Sequence, residues 1–443
     1  MTQWVFRLAA TAGCLLMVAC LSSENNAVEP DAVDPIVWAT NVGGEAYVGS
    51  DGVRFSAENS ITGGELRVLS GIKGSQDPEI YQTYREGDMQ IERALADGRY
   101  AVTFYFAEPD GESRRFDVSV NGRIAIAQVD VRGWRDGKAD SALSVTVPNV
   151  MVEDGVLRAS LIAAPGAPVL SAVAVRRQTT LPNDRPLLWS DEFDVDGPPN
   201  PARWNVEQWP ARKVNDEDQA YTDRPENLEV RDGLLRITAH KESFGDAQYT
   251  SGRIQSQGKG DVHYGRVEVR AKLPTGQGTW PAIWMLPSDP FHYATTCEAP
   301  ADWQGSETCD AWPNSGEIDI MEHVGFQMGH VHGTVHNKAY YWVEWEQRKG
   351  RVILDDVDTA FHVYALEWTP ERIDVFVDDI HYFSYMNEET GWKSWPYDQP
   401  FHVILNLAVG GVWGRSGGPI DDSIFPQTLL IDYVRVFGQR SEK

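Results

Sequence analysis

"GEIDIMEH" occupies residues 316–323 and sets three carboxylates, Glu317, Asp319 and Glu322, among Ile318, Ile320 and Met321. On a regular strand side chains alternate between faces, so Glu317 and Asp319 share one face while Ile318 and Ile320 share the other. Strict alternation would then aim Met321 at the acids' face and Glu322 away from it. One extra residue at Ile320–Met321, a β-bulge, swings Glu322 back to join the other two acids. The stretch therefore reads as a bulged strand whose carboxylates gather on one side. A merely solvated acidic strand is the alternative.

Working outward, the surrounding chain is strand after strand. "LEVRDGLLRITAHK", "GRVEVRAKLP", "HVHGTVH", "FHVYALEWT", "RIDVFVDDIHYF", "FHVILNLAVG" and "LLIDYVRVFG" are short apolar-rich runs set off by turn signals, as two-layer β folds require. They belong to a unit spanning 187–438. A second strand-rich unit precedes it over 36–177, with "GRYAVTFYFAEP" and "RRFDVSVNGRIAIAQVDV" as its clearest strands and an Asn-Gly turn inside the latter. Between them "QTTLPNDRP", 178–186, is polar with two prolines and reads as a linker. The expected fold class is all-β, with two β-sandwich domains.

At 443 residues the chain suits two or three domains. Acids outnumber bases, 65 to 39, for a net charge of −26. That excess disfavours nucleic acid and anionic membranes as partners and leaves room for a neutral substrate. The sixteen Trp suit flat sugar-binding faces, although large β-cores also collect Trp.

The N-terminus, "MTQWVFRLAATAGCLLMVACLSS", has a basic residue, Arg7, ahead of an apolar stretch, Leu8 to Val18, too short to span a bilayer. Its end, "LMVAC", resembles a bacterial lipobox with Cys20 as the lipidated residue, and Met17 where Leu is usual. The expectation is a signal peptide over 1–20, a flexible tether over 21–35, and an exported lipoprotein held at the outer membrane, cell surface or periplasm only by its lipid. In an oxidising compartment the two remaining cysteines, Cys297 and Cys309, are free to pair. Such a short loop is worth ~3 kcal/mol in the chain-entropy model.

Paired carboxylates are what glycoside hydrolysis needs: one attacks the anomeric carbon, the other protonates the leaving oxygen and later activates water. Retaining enzymes hold the two about 5–5.5 Å apart, so Glu317 and Glu322 must lean toward each other. Asp319 between them can hydrogen-bond the nucleophile and raise the pKa of the acid. Trp280, Trp284 and Trp312 lie just upstream, and His332 and His336 just downstream.

With "WSDEFD", "AYTDRPENLEVRDGLLRITA", "YTSGRIQSQGK", "GTWPAIWMLP", "WPNSGEIDIMEHVG", "HGTVH" and "PFHVILNLAVGG" in this order, 187–438 resembles glycoside hydrolase family 16, on its laminarinase-like side. The resemblance implies a concanavalin-like jelly roll and endo-hydrolysis of 1,3-β-glucan with retention. It implies Glu317 as nucleophile, Asp319 as its assistant and Glu322 as general acid/base. It also implies a cleft lined by Trp280, Trp284, Trp312 and Trp413, with His336 on the neighbouring strand close to the acid/base. Catalysis would need no cofactor. A structural Ca2+ on the far face would be held by Glu192, the Gly233 carbonyl and Asp432, oxygen ligands being what Ca2+ takes. Two departures stand out. "GGVW" at 410–413 replaces the commoner "GGNW", and 288–311 is a long insertion carrying the cysteine pair and Trp303, expected to overhang the cleft.

The N-terminal unit resembles a malectin-like carbohydrate-binding domain through "WATNVGGEAYVGSDGVRFSAE", "IYQTYREGDMQIERALADGRYAVTFYFAEP" and "GAPVLSAVAVRR". Tyr47, Tyr81 and Tyr84 are its candidate sugar contacts, with a role as a mere spacer as the alternative. Taken together, a monomeric endo-1,3-β-glucanase acting on β-glucan is expected. A mixed-linkage 1,3-1,4-β-glucanase is the alternative within the enzyme class, and a non-catalytic surface glycan-binding protein the alternative outside it.

Overall fold

The structure, a computed structural model, describes residues 34–439 apart from 110–113, 136, 138 and 180–184. The expected signal peptide, Cys20 and the tether up to residue 33 lie outside the described residues, as does most of the expected linker. The chain is built almost wholly of strands, with only short helical turns, and the all-β expectation is met.

Seven antiparallel strands form the sheet that carries the acidic motif, in the order Asn205–Val206, Arg253–Gln255, Phe401–Val409, Thr279–Pro287, Glu317–Glu322, His330–His336, Arg348–Ile353. A second sheet covers it, and there the pattern of residues explains the strand directly. In Gly265–Lys272, Val267, Val269 and Ala271 are buried while Arg266, Glu268 and Arg270 are less so, the period-two signature of a sheet packed on one side. Between the sheets, Ile283, Ile318, Ile320, Met321 and Leu405 pack with Val269, Leu366, Val375 and Phe383. Each fully buried aliphatic or aromatic side chain of this kind contributes about 1.5–3 kcal/mol.

The bulge forms where the alternation demands it. Asp319 pairs with Thr334 and Glu322 with His332, so Ile320 and Met321 together oppose the single residue Gly333. On the other side Met321 pairs with Ile283 and Asp319 with Trp284, which leaves Ile320 without a partner. Its carbonyl, lost to the ladder, accepts instead from the buried hydroxyl of Tyr382 at 2.5 Å. Gly333 is small for a reason: a Cβ there would come within 3.0 Å of the Tyr382 ring.

The N-terminal strands form a six-stranded sheet and a second sheet that runs on, through one parallel bridge between Ile126 and His381, into the outer sheet of the C-terminal unit. Trp134, fully buried, stacks on His381 at 5.5 Å between ring centroids. Arg135 grips Glu388 with two hydrogen bonds of 2.6 and 2.8 Å, and Arg372 donates to the Ser144 carbonyl at 2.9 Å. The two units thus share a desolvated interface rather than only a linker.

Candidate active site

The bulge places all three carboxylates on one face, and the two tryptophans flanking the strand hold its outer pair. Trp312 Nε1 donates to Glu317 Oε2 at 2.9 Å, and Trp280 Nε1 donates to Glu322 Oε1 at 3.1 Å. Asp319 lies between them, only 2% exposed. His336 Nε2 approaches Asp319 Oδ2 to 3.4 Å and Glu317 Oε1 to 3.8 Å. His336 pairs in register with Glu317 and also acts to lower the pKa of Glu322, while His332 is the residue opposite Glu322 in the ladder. Burial above all pushes the His332 ring down to about 3, with Lys349 adding to the effect, so His332 stays neutral.

Three acids in one enclosed site cannot all ionise at neutral pH. Burial raises the Glu317 carboxyl to about 8, helped by the charge of Asp319 and opposed by His336 and the Trp312 N–H. Burial, then Glu322, raises Asp319 well above the usual range. Burial likewise raises Glu322, against His336 and the Trp280 N–H. Asp319 is the most enclosed, and a proton on it relieves the set. Once neutral it no longer opposes ionisation of Glu317, and the Trp312 N–H supports the resulting anion. Burial favours the protonated form of both outer carboxyls, Glu317 to about 8 and Glu322 to about 7, and the reaction draws on the state in which Glu317 is the anion held by the Trp312 N–H while Glu322 keeps its proton.

These groups open into a cavity of about 790 Å3. Trp280, Trp284 and Trp312 line it as expected, and so does Trp303 of the insertion. Trp284 Nε1 donates to Asn406 Oδ1 at 2.7 Å, and Arg253 lies between the rings of Trp209 and Trp284 at 4.3 and 4.8 Å. Trp413 stands behind this wall, edge-on to Trp280 at 5.7 Å and to His332 at 5.2 Å. Tyr341 and Trp342 line the far side. Neither they nor Trp209, Arg253 and Asn406 are among the sequence-derived candidates. The aromatic run "AYYWVEW" and the Arg of "SGRIQSQ" are the signals that could have found some of them.

Cys297 and Cys309 are joined as a disulfide, Cα atoms 5.1 Å apart. The calcium set is not preformed. Arg435 holds Glu192 through two hydrogen bonds of 3.0 and 2.8 Å, and Arg270 pairs with Asp432, so a cation would have to displace two guanidiniums. Among the described residues, the one group of three His, Cys, Asp or Glu side chains close enough to share a metal ion is Glu317, Asp319 and His336, the active-site set itself. In the N-terminal unit Tyr81 and Tyr84 are core residues, 4% and 5% exposed, which removes both as sugar contacts. Tyr47 remains half-buried, its hydroxyl donating to Asp77 at 2.9 Å.

A cleft floored by tryptophans with paired carboxylates at its centre defines a glycoside hydrolase. Comparison with known proteins agrees. The profile of "Glycosyl hydrolases family 16" matches residues 215–434 and that of the "Malectin domain" matches 36–175. A β-glucanase of Rhodothermus marinus is 48% identical over 257 residues, 57% of this chain and 84% of that protein. The X-ray structure of the laminarinase from Rhodothermus marinus aligns with a TM-score of 0.52 at 48% identity, covering 57% of this chain and 97% of that one. Glucan endo-1,3-beta-glucosidase A1 of Niallia circulans is 35% identical over 283 residues, 57% of this chain and 38% of that protein. The chain belongs to glycosyl hydrolases family 16.

Proposed function

We propose that the chain is an endo-1,3-β-glucanase acting with retention on laminarin-type β-glucans. The observation that supports it most is the pair of indole N–H groups holding Glu317 and Glu322 on one face of a bulged strand, with Asp319 enclosed between them. Glu317 attacks the anomeric carbon while Glu322 gives its proton to the departing glycosidic oxygen, forming a covalent glycosyl-enzyme. Glu322, now ionised, takes a proton from water, which releases the sugar and restores both groups. Asp319 positions Glu317 and controls its charge. Trp280 and Trp284 offer the sugar rings flat faces. The chemistry needs no cofactor.

Residues 36–177 act in this reading as a sugar-binding module and 187–438 as the catalytic domain. The protein is a monomeric lipoprotein exported through its N-terminal signal and anchored at Cys20. The disulfide in the insertion supports an oxidising location. The test is reducing-sugar release from laminarin, curdlan, barley mixed-linkage glucan, agarose and carrageenan by wild type and Glu317→Gln. Release from laminarin that vanishes in the variant supports the reading. Activity confined to a galactan would replace the substrate, and binding without any hydrolysis would replace the enzyme by a glycan-binding protein.

A further inference from the structure

The disulfide-closed insertion makes a contact that none of the active-site chemistry uses. The central strands of the cleft sheet, Thr279–Pro287 and Phe401–Val409, pair antiparallel along their whole length, Thr279 with Val409 at one end and Pro287 with Phe401 at the other. Nine residues of strand span roughly 30 Å. The insertion leaves the sheet at the Pro287 end, where the Ser288 N–H donates to the Pro400 carbonyl at 2.8 Å. The segment around Lys213–Glu217 belongs to the opposite end: the Val412 N–H donates to the Asn215 carbonyl at 2.8 Å and Glu217 bridges Gly410. These two segments, rooted at opposite ends of the same strands, meet. Lys213 Nζ donates to Asp302 Oδ2 at 2.7 Å, and a Cβ on Gly305 would lie 2.2 Å from the Lys213 carbonyl oxygen. Their contact therefore crosses the cleft, with Trp303 facing the cavity beneath.

We infer that the Cys297–Cys309 loop is a strap over the Trp209, Arg253 and Trp284 half of the cleft, and that it selects unbranched chains. The inference rests on the glucanase reading for its substrate. A glucan lying on Trp284 has its upper face against the strap. A glucosyl branch on a ring beneath it has no open side to leave by. Trp303 and Gly305 are then the specificity-determining residues, the first because it faces the chain, the second because only glycine allows the backbones to close. The disulfide keeps the loop short and its base firm. Thr296 and Asp310, beside the two cysteines, add to this: Thr296 N–H and Asn314 Nδ2 donate to the Asp310 carboxylate at 2.9 and 3.0 Å.

The decisive experiment compares kcat/KM on a linear 1,3-β-glucan oligosaccharide with that on a 1,3-β-glucan densely substituted by 1,6-linked glucosyl branches. The enzymes are wild type, Asp302→Ala, Gly305→Val and the double variant Cys297→Ser/Cys309→Ser. Wild type should prefer the linear chain by about tenfold or more, as steric exclusion from a pocket allows. The strap variants should lose most of that preference by gaining on the branched substrate, while the linear rate changes little. Equal use of both substrates by wild type, or a preference that all three variants retain, overturns the proposal. A second measurement does not depend on substrate. Carbodiimide should condense the Lys213 amine with the Asp302 carboxylate, losing one water, and mass spectrometry should find the joined peptides in wild type and much less of them in the cysteine double variant. Failure to find them overturns the strap. Wild-type inactivity on every 1,3-glucan would instead overturn the glucanase reading, and the strap would stand or fall on the cross-link.

Discussion

The hydroxyl of Tyr382 donates to the carbonyl of Ile320, the one residue that the bulged acidic strand leaves unpaired. The catalytic geometry is thus held from below, by a side chain of the opposite sheet that never meets the substrate. Tyr382→Phe removes the donor and leaves a buried carbonyl unsatisfied. It should cost about 1–3 kcal/mol of stability, and it should lower kcat more than it raises KM. Denaturant unfolding with parallel kinetics checks this; a variant as stable and as active as wild type would show that the bulge holds itself.

The two indole N–H groups predict shifts of the two limbs of the pH profile. The Trp312 N–H favours ionised Glu317, so Trp312→Phe should raise the pKa of the nucleophile and move the acid limb to higher pH. The Trp280 N–H favours ionised Glu322, so Trp280→Phe should raise the pKa of the acid and carry activity further into alkaline pH. Profiles of kcat/KM against pH separate the two effects, and limbs that move the other way would reverse the assigned roles.

Burial of the Glu317 carboxyl also has a consequence for stability. Its folded pKa, about 8, lies above that of an unfolded glutamate, so the folded state binds more protons between the two values. Stability from this group is fully present below the unfolded pKa and is lost as pH rises toward the folded one. Glu317→Gln should therefore flatten the decline of Tm with rising pH and melt higher than wild type at alkaline pH. Parallel declines in the two proteins would place the titration elsewhere.

Arg435 on Glu192 and Arg270 on Asp432 predict indifference to calcium. A ligand stabilises only by binding the folded state, so neither added Ca2+ nor a chelator should move Tm. A rise of several degrees with Ca2+ would mean that the arginines give way to the ion.

Much of the site was legible in residues 316–323 because the period of two is strict: three acids can share a face only through a bulge, and the bulge is there. The same bulge hid which residue of the next strand each acid faces. It changes the register by one, so whether His332 or His336 meets the acid/base depends on where the extra residue falls relative to the partner strand. Tyr382 was out of reach for a different reason. It lies 62 residues away, and its role exists only because a carbonyl has lost its ladder partner. Tyr81 and Tyr84 show the limit of placing aromatics by loop position, since a tyrosine ring buries as readily as it binds sugar. For the calcium set, nothing local to Glu192 or Asp432 says that Arg435 and Arg270 pair with them.

The stack of Trp134 on His381 and the grip of Arg135 on Glu388 join the N-terminal unit to a strand of the catalytic domain's outer sheet. A sugar-binding module on a loose leash would only keep substrate nearby. Seated this way, it turns with the cleft. A polysaccharide fibre held at one surface then fixes the heading from which free chains reach the other, and the enzyme's footprint on an insoluble glucan becomes a matter of direction as much as of proximity.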